Sequence, residues 1–524
     1  MKKLVSVLLC ISMLLSVCVS GASAANAVDA VPVSYEEDLK NLDRDVPVIF
    51  VTGLEGEYYK GLSTETEDDD VRIWGPDAGV IVSAVFKNIV PLVWNLIIGD
   101  YKAVNETAKN ALDAIFGDFA CDSNGVPNPD TGKKVTSDYG LREGANGYSN
   151  DYDFIYDWRC DMLTIAAQLD EYTDYVMELT GSDKVAYVAM SMGNAVMTTY
   201  LHEYYYAAED YSERNHIDSV IFLAGAMNGV GTCEDPFSGN MGVDSKSILR
   251  MMSELMLGNE GTKGIYYFVE ILYSLGLLEP ITAFVNNLNT NLVENGLNDA
   301  VLDTLATIPG FMALMSPERY EETRAFIYDT PEKQAKFAAI LEKSDYYHRT
   351  VQKNNVKVIQ SMLDDGIRAA VIAEYGCTVI PLTSDNDRMS DGTIFTAAES
   401  FGATCAEVDG TLGEGYTQAK ECDCGKNHIS ADNQIDASTC AFPDITWFAK
   451  NVRHSAGDEY FEVLCDLIIY ADRQITVWDY TEYPQYLINL DGESLVPLTA
   501  ENAGEIVPYD ETTLLGKARK KLGF

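Results

Sequence analysis

The chain has 524 residues, 47% of them apolar and 23% charged, which supplies a large core and excludes a disordered protein. Its formal net charge of −44 excludes nucleic acid as a partner and reads as a solvated, anionic surface. Beyond the first residues no stretch reaches the ~20 uninterrupted apolar residues of a membrane span, so no integral span is expected.

In chain order, the first feature is Met1-Lys2-Lys3, an apolar run through Val19 and small residues at 21–24. This is the pattern of a secretory signal over residues 1–24, cleaved after Ala24, and it predicts an exported protein. Cys18, after Leu15-Ser16-Val17, offers a lipid-anchored alternative that the bulky Val17 disfavours. Past the leader nine cysteines remain, which an exported chain is expected to pair, with one thiol left over.

Short β-rich runs then alternate with longer helical patterns, the layout of a parallel sheet covered on both faces. The expected strands are Val46–Val51, Tyr152–Trp158, Lys184–Met190, Asp218–Leu223, Thr378–Thr383 and Trp447–Val452. Apolar residues at three- and four-residue spacing predict a helix over 161–179 and another through Tyr460, Phe461, Leu464, Leu467 and Ile468. Two stretches break the alternation. One, about 58–147, holds the acidic cluster Glu65–Asp70 and the apolar segment Ile89–Ile98; the other, about 235–375, reads as consecutive helices with apolar patches at Ile265–Leu278 and Ile308–Met315. Both leave strand ends, where open α/β sheets bind ligands, so they are expected to cap a site or else to add to the core. The α/β domain spans 25–472. A C-terminal extension, 473–524, ends in the basic Lys517–Lys521, read as a solvated tail.

Chemistry centres on Lys184–Leu201, where an apolar strand stops at Ser191 and a helical pattern begins. The small residues Ala189 and Gly193 flank the serine at the spacing a sharp strand-to-helix turn needs, which makes Ser191 the candidate nucleophile and the Met192 amide an oxyanion donor. A serine needs a histidine base, and the histidine needs a carboxylate. Of five histidines, His454 follows the sixth expected strand, where this architecture presents its base; His428, in a Cys/Gly/Asn-rich loop, is the competitor. For the acid, Ser384–Ile394 offers Asp385, Asp387 and Asp391, and the Gly392 turn favours Asp391. The second oxyanion amide is assigned to Leu54, in the turn Gly53–Gly56 after the first strand.

These residues resemble the α/β-hydrolases, and among them the lecithin:cholesterol acyltransferase-like lipases. The resemblance rests on Pro47–Gly56, Tyr156-Asp-Trp-Arg159, Ala189-Met-Ser-Met-Gly193 and Ser390-Asp-Gly-Thr-Ile394, in the family's order. It implies an α/β-hydrolase fold, a mostly parallel sheet with helices on both faces and large helical caps. It also implies an acyl-enzyme on Ser191, a lipid or other small ester substrate, and transfer to water or an alcohol. The chain departs from the family at Met190, where a histidine is usual, and at Phe395, where a proline is usual.

No cofactor is expected for such a reaction. Ser430–Ser438 could hold Ca²⁺ but lacks the glycine and glutamate of an EF-hand loop and reads better as a polar turn. Cys422, Cys424 and His428 have ligand chemistry but no second pair nearby, so a local disulfide is the expectation there. The reading is thus an exported serine ester hydrolase, with transient contact to a lipid surface allowed. A peptidase or small-ester hydrolase is the enzymatic alternative, and a non-catalytic binding protein on the same fold is the alternative of a different class.

Overall fold

The computed structural model describes residues 46–54, 56–61, 71–74, 94–95, 98–133, 151–256, 263–294, 296–379, 383–422, 424–454, 458–490, 492, 494–504 and 512–522. The expected leader, the Glu65–Asp70 cluster and most of Ile89–Ile98 lie outside them.

Eight strands form one sheet: β1 (Val48–Val51), β2 (Asp151–Phe154), β3 (Val185–Met190), β4 (Ile217–Leu223), β5 (Arg368–Tyr375), β6 (Thr446–Lys450), β7 (Tyr486–Asn489) and β8 (Leu495–Pro497). Their spatial order is β8-β7-β6-β5-β4-β3-β1-β2. Every neighbouring pair runs parallel except β7 with β8. Side chains alternate between the faces of a strand, yet every residue of β1, β3 and β6 is buried, so both faces are covered. This is the α/β class expected from the alternation.

The chain enters the sheet in the middle. From β1 it goes out to β2 on one side and returns to β3 on the other, so the strand order reverses between β1 and β3, the position where open α/β sheets form a ligand crevice. The crossover helix Met162–Thr180 begins where the Asp161 side chain accepts from Thr164 N, and it ends at Gly181 with φ 72°. Its buried residues Met162, Ile165, Ala166, Leu169 and Val176 are members of the expected stripe; Leu179 lies exposed.

Two expectations need correcting. The fifth strand is Arg368–Tyr375, not Thr378–Thr383, so the second insertion stops short of it. Its Ala-rich sequence has helical propensity, but pairing between β4 and β6 overrides that, and Gly366 and Gly376, both at positive φ, bracket it. Thr378 and Val379, described after Gly376, lie outside any strand. The basic end, read as a solvated tail, is a helix, Leu514–Leu522, that packs on the helix Lys263–Ser274 while Lys517, Lys520 and Lys521 stay exposed.

The first insertion carries the helix Tyr101–Phe116 and a three-stranded antiparallel sheet of Tyr58–Lys60, Val71–Trp74 and Thr131–Lys133. It is fastened to the main sheet through Arg159, whose fully buried guanidinium donates to Thr131 Oγ1 (2.8 Å) and Thr131 O (3.2 Å) and pairs with Asp157. In the second insertion, Ile308–Met315 is buried rather than displayed, with Phe311 packed edge-on against Trp158 at 5.1 Å.

Candidate active site

At the end of β3 the backbone turns through Ser191, which sits at φ 52° and leads directly into the helix Gly193–Leu201. A non-glycine residue in the left-handed region is strained, and the surroundings must hold it there. Ser191 N donates to Leu223 O (3.1 Å) and Ser191 O accepts from Ala226 N (3.0 Å). Gly193 is required by space, since a Cβ there would lie 2.1 Å from Val51 O. Gly53, after β1, lies close against the serine, where a Cβ would come within 2.8 Å of Ser191 Cβ. Leu54, half-buried, is the next residue of that turn. Gly310, from the second insertion, comes against the other side: a Cβ there would reach 3.0 Å from Met192 Cε.

Asn194 holds the turn, and the sequence reading missed it. Its buried amide nitrogen donates to Ala189 O (2.9 Å), Leu223 O (2.9 Å) and Ser191 O (3.2 Å), tying β3, β4 and the turn together. The only sequence signal is a lone amide in an otherwise apolar helix start.

The histidine and the carboxylate come from the ends of two other strands. His454 lies four residues past β6, and Asp391 lies in the loop after β5. His454 Nε2 is 2.9 Å from Ser191 Oγ, and His454 Nδ1 is 2.5 Å from Asp391 Oδ2. The backbone repeats that link, His454 N donating to Asp391 O at 2.9 Å. The other carboxylate oxygen, Asp391 Oδ1, accepts from Thr393 N and Ile394 N, both at 2.6 Å, so the Gly392 turn aims the acid as well as reversing the chain. Ser191, Asp391 and His454 are thereby one constellation. The competing aspartates are elsewhere, Asp387 pairing with Arg250 at 2.6 Å and Asp385 with Arg388 at 3.2 Å.

The remaining histidines are used otherwise. His428 lies among Cys422, Cys424 and Asp444. His216 contacts Tyr200 Oη (2.6 Å), His202 contacts Glu203 (2.8 Å), and His348 contacts Gln352 and Met312 O.

Electrostatics couple the pair. Burial, the largest single influence, would lower the pKa of His454, but the charge and hydrogen bond of Asp391 outweigh it and raise it above the ordinary value of 6.5. Burial would raise Asp391; the attraction of His454 and the two backbone donors hold it below the ordinary value instead. Behind Asp391 lie two further fully buried carboxyls, Glu374 on β5 and Glu399. Burial, then repulsion by Asp391 and Glu374, pushes the Glu399 carboxyl well above its ordinary value. Its Oε2 accepts from Glu374 N at 2.7 Å.

The nine cysteines are free thiols in the structure, so the disulfide expectation finds no support. In the acidic loop, Asp432 Oδ2 is engaged by Lys450 Nζ (2.8 Å) and Tyr375 Oη (3.1 Å), and Asp436 Oδ2 accepts from Tyr416 Oη and Ala419 N.

No family model and no curated protein matches the chain. Two chains of solved structures match. One, from the crystal structure of the Tle4-Tli4 complex, is 12% identical and covers 63% of this chain and 75% of that one, with a TM-score of 0.23. A likeness that distant carries no argument about the site, and the α/β class rests on the sheet itself.

Proposed function

We propose that the protein is a serine hydrolase acting on carboxylic esters. The observation that carries this reading is the hydrogen-bonded line Ser191 Oγ, His454 Nε2, His454 Nδ1, Asp391 Oδ2, with the serine held at φ 52° on a strand-to-helix turn.

In the proposed reaction His454 takes the Ser191 proton as Oγ attacks the ester carbonyl. The Met192 and Leu54 amides receive the developing oxyanion. Collapse expels the alcohol, protonated by His454, and leaves an acyl-enzyme. A second acceptor, water or an alcohol, attacks the acyl carbon with His454 again as base and restores the serine. Asp391 stays ionised throughout and fixes the imidazole so that Nε2 faces the serine. Loss of any of these three groups would support a binding role instead, but all are present and aligned.

An acyl-lipid substrate presented at a surface is the finer part of the proposal. Tyr267, Phe268 and Ile271 are 47%, 50% and 48% exposed on the helix Lys263–Ser274, and Leu275 and Leu277 just past its end are 66% and 47% exposed. Such a face supports transient contact with lipid. No single described helix is long and apolar enough to cross a membrane, and export rests on the leader-like first residues.

A fluorophosphonate probe tests the chemistry: the intact protein should label and Ser191→Ala should not. A p-nitrophenyl ester series then reads the substrate, with activity rising with acyl length. Failure of the intact protein to label would remove the hydrolase reading; preference for acetyl esters or for peptides would remove only the lipid part.

A further inference from the structure

We propose that Cys422, Cys424, His428 and Asp444 form a tetrahedral zinc site that fastens the loop before residue 435 to the entry of β6. The sequence offers three of these ligands in one short loop. The fold supplies the fourth, because Asp444 lies in the turn Pro443–Ile445 immediately before β6 and is brought against the loop.

Geometry supports a metal more directly than composition does. One ligand atom from each of the four residues lies within 4.8 Å of all the others. Zn–S bonds of ~2.3 Å and Zn–N or Zn–O bonds of ~2.0–2.2 Å at tetrahedral angles require ligand-to-ligand separations of roughly 3.3–3.8 Å. Here Cys424 Sγ to His428 Nε2 is 3.1 Å, and the one oxygen Asp444 Oδ1 is 3.9 Å from Cys422 Sγ and 3.7 Å from His428 Nε2, all within or close to that range.

The surroundings set the histidine's tautomer. Gln485 donates its amide nitrogen to Pro443 O (2.7 Å) and Thr446 O (3.2 Å), which turns Gln485 Oε1 toward His428 Nδ1 at 2.8 Å. An acceptor there requires the proton on Nδ1, so Nε2 presents its lone pair to the two sulfurs and the carboxylate. Lys426 N donates to Cys424 Sγ (3.4 Å), as a thiolate wants, and Trp478 Nε1 holds Asp444 Oδ1 at 2.7 Å. Two thiolates, an imidazole and a carboxylate in a tetrahedron select zinc over the hard cations that take oxygen alone.

The site is structural rather than part of the proposed reaction. Asp444 precedes β6 and His454 follows it, so the two centres lie at opposite ends of a strand of five residues, about 16 Å long at ~3.3 Å per residue.

The full chain, loaded with zinc and passed through gel filtration, is expected to retain about one zinc per chain by mass spectrometry, and to melt at a higher temperature than the chelated protein. Cobalt in its place should give thiolate charge-transfer bands and the intense d–d absorption of a tetrahedral centre. Gln485→Ala should weaken binding ~10–100-fold while leaving the ligands in place. Cys422→Ser, at a half-exposed position that tolerates the change, should abolish both the cobalt bands and the zinc-dependent rise in melting temperature. The proposal is overturned by sub-stoichiometric metal after loading, by binding that survives Cys422→Ser, by calcium binding in preference to zinc, or by a Cys422–Cys424 disulfide in freshly purified protein. None of these readouts depends on ester hydrolysis, so failure here leaves the serine chemistry standing.

Discussion

Asp391 meets two demands at once, since one oxygen is fixed by the Thr393 and Ile394 amides and the other is left for His454. Asp391→Asn keeps the shape but invites the wrong imidazole tautomer, and kcat is expected to fall by about 10⁴-fold in ester assays. The same carboxylate sets the pH response. The base works neutral and its pKa lies above 6.5, so kcat/KM should fall as pH drops through a value above 6.5. In Asp391→Asn the residual activity should show that limb shifted to lower pH, because burial then acts on His454 unopposed. Glu399 gives a third test. Glu399 accepts from Glu374 N, and its carboxyl is pushed toward the protonated form, whose hydrogen-bonding shape an amide matches, so Glu399→Gln should keep kcat within about threefold. Glu399→Ala should lose roughly 5–150-fold, the equivalent of ~1–3 kcal/mol for an unmet buried partner. A large loss in the glutamine variant would mean that Glu399 is ionised.

At the scale of elements, the strand-to-helix turn is built by absence of side chains. Gly193→Ala would press a Cβ onto the backbone oxygens of Val51 and Thr52, which have no freedom to move inside the sheet. A loss of about 3 kcal/mol or more is expected, read as a lower melting temperature, with fluorophosphonate labelling slowed in whatever remains folded. Asn194→Ala acts on the same turn from the other side and should lower stability by ~1–3 kcal/mol. The turn was legible in the sequence because Ala189, Ser191 and Gly193 sit at the spacing such a turn needs, between a strand pattern and a helix pattern. Asn194 was not, since its three acceptors come from residues up to 29 apart in sequence. Strand β5 was misplaced for a related reason. Arg368–Tyr375 carries helix formers, and its strand identity comes from the neighbours it pairs with.

At the scale of the whole molecule, the exposed apolar face on Lys263–Ser274 predicts how substrate is met. Phe268→Ser with Leu275→Ser should lower binding to phosphatidylcholine vesicles by roughly thirtyfold, taking ~1 kcal/mol for each partly inserted side chain, and leave turnover of soluble short esters unchanged. Equal losses on soluble and vesicle substrates would place the face in the core of the cap instead.

Local features were legible in the sequence: the turn at Ser191, the Gly392 turn that presents Asp391, the histidine after the sixth strand, and a helix expected over 161–179 and found over Met162–Thr180. Each depends on residues close in sequence, where periodicity, glycine placement and propensity act directly. Only the tertiary structure decided which of the candidate acids and bases meet. It chose His454 over His428 and Asp391 over Asp385 and Asp387, moved the fifth strand, buried Ile308–Met315, and delivered Asp444 to the cysteines. Those outcomes depend on strand order and on contacts between residues far apart along the chain, and no local pattern encodes the distance between two strand ends.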